Sequence, residues 1–231
     1  MARTITTVCF ALLVTISAPV CRADDQFPSA ALSSIKKICP EVLRQPMVVA
    51  TGDLNGDGFS DVAAIVSCKS TEYGEPQDEE LIVIYGQQDA SYKIAYRSEV
   101  WPWNGRSEME LEIKNKVLVF SEHCAYNCNP ESWASSYKFK MRQNKLILAG
   151  EDHSQTTLSG KDLEFEDAYG NSFNYLTQKV IYWGKTTRRG YSEKKLSFNL
   201  KAPLVLSSFN LETCITNRSC MPESVSMPKP Q

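Results

Sequence analysis

A mainly β fold, β-rich α+β in class, follows from three features of this 231-residue chain. Several segments alternate apolar and polar residues with a period of two, which turns one side of a strand to a core and the other to water. Short polar pairs, Asn115-Lys116 and Gln143-Asn144, separate such segments where hairpin turns belong. Only Ser29 to Cys39 places its apolar residues at three- and four-residue intervals. The expectation is a twisted antiparallel meander with one short N-terminal helix.

Met1 to Ala23 reads as a secretory signal, with Arg3, an apolar centre from Val8 to Ile16 and the small Ala23 at the cleavage position. No later stretch approaches the roughly 20 apolar residues that a membrane-spanning helix needs. The expected plan is residues 1–23 as signal peptide, 24–206 as one β-rich domain and 207–231 as an irregular tail containing cysteines. Loss of Arg3 and Arg22 moves the formal charge from −2 to −4, which argues against a nucleic-acid partner. Cys9 and Cys21 leave as well, and Cys39, Cys68, Cys124, Cys128, Cys214 and Cys220 remain. An even number in an exported chain predicts disulfides. Of fifteen possible connectivities, spacing favours Cys124 with Cys128 and Cys214 with Cys220, and Cys39 then pairs with Cys68 by elimination. A zinc set of His123, Cys124 and Cys128 is the competing use of those thiols, but it lacks a fourth ligand.

Leu32, Ile35, Ile38 and Cys39 form the apolar stripe of the helix, with Lys36 and Lys37 off it and Pro40 as its stop. Next, Gly52 to Asp61 places oxygen side chains at loop positions one, three, five and nine: Asp53, Asn55, Asp57 and Asp61. Gly58 stands at position six, where a loop wrapped around a cation turns sharply, and the Phe59 carbonyl falls at position seven. This is calcium-loop spacing. An EF-hand needs a bidentate Glu at position twelve, which here is Ala64, so the helix-loop-helix reading fails.

Val62 to Val66 and Leu81 to Tyr85 are unbroken apolar runs of strand length, expected to be buried on both faces. The acidic stretch between them, Lys69 to Glu80, is expected to be a solvated loop. Met109, Leu111 and Ile113 then alternate with Glu108, Glu110 and Glu112. Trp133, Tyr137, Phe139 and Met141 alternate with Ser136, Lys138, Lys140 and Arg142, and Leu196, Phe198 and Leu200 with lysines and small polar residues. From Ser207 onward the prolines predict an irregular end.

The pattern Asp-x-Asn-x-Asp-Gly-x-x-Asp running into a buried strand resembles the FG-GAP/VCBS-type loops of integrin-like propeller repeats. The resemblance implies calcium pinning a hairpin between strands. The order of later segments, from Leu81–Gln87 through Val117–Phe120, Trp133–Lys140 and Asn174–Val180, looks like a group of exported bacterial proteins with a single such loop. It implies no catalytic residues. No second loop is present, since Asp162 to Gly170 lacks the glycine at position six. A propeller needs typically four or more blades, so a full propeller is not expected.

Nucleophile-elbow, Walker A, dinucleotide and His-Glu-x-x-His motifs are absent. Asp152-His153-Ser154 supplies triad residue types, but consecutive residues do not generally aim at one another. Glu151, Asp152, Glu164 and Glu166, with Trp183, are the candidates for a carboxylate-dependent glycan hydrolase. Trp101 and Trp103, flanking Pro102, offer an aromatic corner for a sugar or a protein partner. The leading expectation is a monomeric, calcium-stabilised binding or envelope-associated protein, periplasmic or secreted, without catalysis and with an unidentified protein or glycan partner. An inhibitor or immunity-type protein and the hydrolase are the alternatives.

Overall fold

The computed structural model describes residues 27–40, 48–68, 77–103, 107–124, 131–159, 164–186, 190–217 and 219–220. Residues 1–26 and 221–231 lie outside the described residues, and with them the expected signal and the end of the tail. Two antiparallel sheets form the body. The first holds β1 (Val48–Gly52), β2 (Asp61–Ser67), β3 (Gln77–Gly86) and β4 (Tyr92–Arg97) in that order, with β5 (Trp101–Trp103) also on β3. The second is a seven-stranded meander in strict chain order: β6 (Ser107–Lys114), β7 (Val117–Cys124), β8 (Glu131–Arg142), β9 (Lys145–Ser159), β10 (Glu164–Asn174), β11 (Lys179–Thr186) and β12 (Gly190–Ser197). Neither strand path closes into a barrel, and none of it repeats as propeller blades.

The unbroken apolar run of β2 is explained by its position between two layers. Val62, Ala64 and Val66 turn to one side and pack with Ile82, Ile84, the helix residues Ala31 and Ile35, and Cys39 at the helix end. Ala63 and Ile65, with Leu81 and Val83, turn the other way onto the meander. The helix α1 (Ser29–Ile38) therefore covers the outer face of the first sheet, as its stripe predicts. Ser34 Oγ fastens it by donating to the Tyr92 carbonyl of β4 at 2.7 Å.

The core between the sheets is aromatic. Phe120 stacks on Tyr137 at 5.7 Å, and Phe209 meets Trp101, Phe120, Tyr137 and Phe139 edge-on. The hairpin turns fall at Asn115-Lys116 and Gln143-Asn144 with both central residues at positive φ, the backbone that matches strand twist. The edges of the two sheets meet at Gly52, where a Cβ would come 2.8 Å from Ile113 Cγ2.

Three expectations change. Glu79 and Glu80 are buried rather than solvated, because β3 begins four residues before the apolar run and carries them into the sheet. Trp101 is 1% exposed and belongs to the core, so its own ring is not a partner-facing surface; the Trp103 side chain lies outside the described residues. The tail expected to be irregular from residue 207 instead continues a 3-10 turn (Leu206–Ser208) and holds α2 (Leu211–Asn217). Leu206, Phe209, Leu211 and Cys214 anchor it to the core.

Candidate functional site

Residues 53–60 join β1 to β2. Gly56 and Gly58 adopt φ of 86° and 88°, which side-chain-bearing residues rarely reach, and the chain curls around Asp53. Asp53 accepts N–H groups from Gly56 at 2.6 Å and Gly58 at 3.2 Å, while Asn55 Oδ1 accepts that of Asp57 and Asp57 Oδ1 that of Phe59, both at 2.8 Å. Asp61 is fully buried at the start of β2. Its Oδ2 accepts from Leu54 (2.8 Å) and Asn55 (3.2 Å), and its Oδ1 from Gly86 of β3 (3.1 Å). Asp61 thus pins loop, β2 and β3 together.

Burial pushes the Asp61 carboxyl up; the three N–H donors pull it back, and the charge on Asp57 pushes it further up. Tyr85 is raised by burial, by its neighbour Tyr96 and also by Asp61 and Asp57, so the loop presents negative potential. By donor type and by unused lone pairs, Asp53, Asn55, Asp57, the Phe59 carbonyl and one oxygen of Asp61 suit a hard cation. Among the described residues, the three metal-ligand-type side chains whose ligand atoms all lie within 4.8 Å of one another are instead Glu151, Cys214 and Cys220, and the two cysteines are bonded to each other. Gathering the loop carboxylates around one ion requires them to rotate away from their present backbone partners.

A second feature lies on the meander. An open groove of ≈ 250 Å³ is lined by Ser121, Glu122 and His123 of β7, Ala134, Ser135 and Ser136 of β8, Asp152, His153 and Ser154 of β9, Asn171 of β10 and Trp183 of β11. Strand alternation divides this set. His123, Ala134, Ser154, Gly170 and Trp183 are register partners in one row, and Ser121, Ser136 and Asp152 in the next, so their side chains share the outer face. Glu122, Ser135, His153 and Asn171 point to the inner face, leaving their backbone as the floor.

Small residues keep that floor low, and the Trp183 ring lies across Gly170. A Cβ there would meet Trp183 Cζ2 at 2.6 Å and the His153 carbonyl at 2.2 Å. The titratable side chains are tied in pairs: Lys138 Nζ to Asp152 Oδ2 at 2.5 Å, and His123 Nε2 to Glu108 Oε2 at 3.2 Å.

Beneath the floor the inner row is polar and buried. Ser107 donates to Glu122 Oε1 at 2.5 Å, and Ser135 Oγ lies 2.9 Å from His153 Nδ1. Among the described residues, Glu122 Oε2, His153 Nε2 and Asn171 Oδ1 have no hydrogen-bond partner, although Glu151 Oε2 lies 3.7 Å from His153 Nε2. Burial pushes the Glu122 carboxyl up, while Ser107 and His123 draw it down.

The candidate acids separate. Glu151 is fully buried on the inner face, 2.6 Å from the hydroxyl of Tyr175 and accepting the Cys220 N–H at 3.1 Å, whereas Asp152 is on the groove side. Glu164 and Glu166 side chains lie outside the described residues. The triad types also divide, with His153 inward and Ser154 outward. Cys39–Cys68 and Cys214–Cys220 are disulfides, as expected. Cys124 is also disulfide-bonded, which removes it from the zinc set, and Cys128 lies outside the described residues.

Fold and site together define a two-sheet antiparallel β protein with one helix-covered face, a polar carboxylate loop and an open groove on the meander. No family model, curated protein or solved structure matches the chain. Among the described residues, no helix is long and apolar enough to cross a membrane.

Proposed function

We propose that this chain is an exported, calcium-stabilised binding protein that holds a partner without transforming it. The division of Glu151 from Asp152 carries this reading. Hydrolysis of a glycan by paired carboxyls needs both acids flanking one bond, and here the sheet stands between them. Within the groove, Asp152 is further committed to Lys138, which favours holding over proton transfer.

The disulfides fit an oxidising compartment. Calcium would be held by Asp53, Asn55, Asp57, the Phe59 carbonyl and Asp61, where it supplies positive charge against the Asp57–Asp61 repulsion. The loop's own residues do the rest: Asp61 fixes the entry into β2, and the two glycines supply the turn.

Affinity capture from envelope extract, with calcium and with chelator, tests this reading. A partner retained through calcium washes, released in chelator and recovered chemically unchanged is the expected result. Steady release of cleaved product, or no retention under either condition, contradicts it.

A further inference from the structure

We infer that the groove on β7 to β11 takes one ring of a neutral saccharide, with Trp183 as its stacking surface. This deepens the binding-protein reading above and rests on it. At ≈ 250 Å³ and open to solvent, the groove falls below the ~300–1,000 Å³ of sites that enclose drug-sized molecules. It suits one ring of a chain that continues out of the open side.

A pyranose has an apolar C–H face and a rim of hydroxyls. The half-buried indole of Trp183, immobilised on Gly170, supplies the matching flat apolar surface. Around it Ser121 and Ser136 offer hydroxyls able both to donate and to accept, as sugar hydroxyls require, and Ser154, which donates to the Ala134 carbonyl at 3.5 Å, can still accept. Charge decides between sugars and anions. Asp152 is neutralised by Lys138 and His123 lies against Glu108, so among the described lining residues no unpaired cation stands ready to attract a phosphate or uronate.

Calorimetric titration of the full chain, in calcium, with triacetylchitotriose, cellotriose, maltotriose and laminaritriose tests this, with the indole N–H resonance of Trp183 as a second readout wherever that residue is present. At least one neutral trisaccharide should give a saturable shift, and trigalacturonate should bind at least tenfold more weakly. Trp183→Ala should weaken binding tenfold or more. Ser154→Phe, which fills the groove while keeping Trp183, should do the same, so a misfolded tryptophan variant does not decide the matter. The inference is overturned if none of the four shifts the resonance, or if both variants, with dispersed spectra, bind like the wild type. Should the trisaccharides fail while the envelope partner is still retained, the saccharide assignment falls and the binding reading stands.

Discussion

Glu79 shows how strongly one residue is shaped by its strand. It is fully buried on the inner face of β3 beside Trp101, neither carboxyl oxygen has a hydrogen-bond partner among the described residues, and burial together with the charge of Asp78 pushes its pKa up to about 7. The folded state therefore holds a proton that the unfolded chain gives up near its ordinary value of 4.5. Stability from this group is fully present below that value and is lost as pH rises through 7. The loss amounts to about 3 kcal/mol between pH 4 and 8. Urea denaturation across that range should show Glu79→Gln losing less stability than wild type; parallel curves would refute the assignment. Gly170 makes a second case. Alanine there drives Cβ into the His153 carbonyl and the Trp183 ring, and a cost of about 1–3 kcal/mol in the same assay is expected.

Among the elements, the helix, the hairpin turns and the doubly buried β2 were legible because each has a local cause: periodicity, turn pair or unbroken apolar run. The start of β3 was not, because Glu79 and Glu80 in a strand look like solvent-facing acids until Arg97 appears against Glu80 at 2.5 and 2.7 Å. Nor was α2, whose seven residues are too few to display a helical period. The groove was half legible: Asp152 and Trp183 were singled out, but which face each residue takes depends on a bulge. The register shift at Lys138/Phe139 inserts Ala149 into β9, so Leu146 and Leu148 point inward before it and Glu151 and His153 after it. The Cys39–Cys68 bond, which ties the end of α1 to the end of β2 across 29 residues, gives a prediction at this scale. Replacing both cysteines with alanine should cost about 3–4 kcal/mol. A change below about 1 kcal/mol in denaturant titration would show that packing alone holds the helix.

At the scale of the whole molecule, the two sheets meet at the β1–β2 loop. Asp61 links the loop to β3, and Lys116 of the β6–β7 turn reaches over Gly56, with Nζ 2.7 Å from where a Cβ would stand. A cation that steadies this loop therefore steadies both sheets. A ligand that binds only the folded state adds about 2.7 kcal/mol when present at a hundred times its dissociation constant. The most direct test of calcium stabilisation is the melting temperature of wild type and Asp57→Ala, each in calcium and in chelator. The account predicts a higher wild-type value in calcium and almost no difference for Asp57→Ala, with Glu112→Ala, whose side chain is exposed on β6, behaving as wild type. Identical wild-type curves in calcium and chelator, with no calcium retained on direct metal analysis, would contradict it.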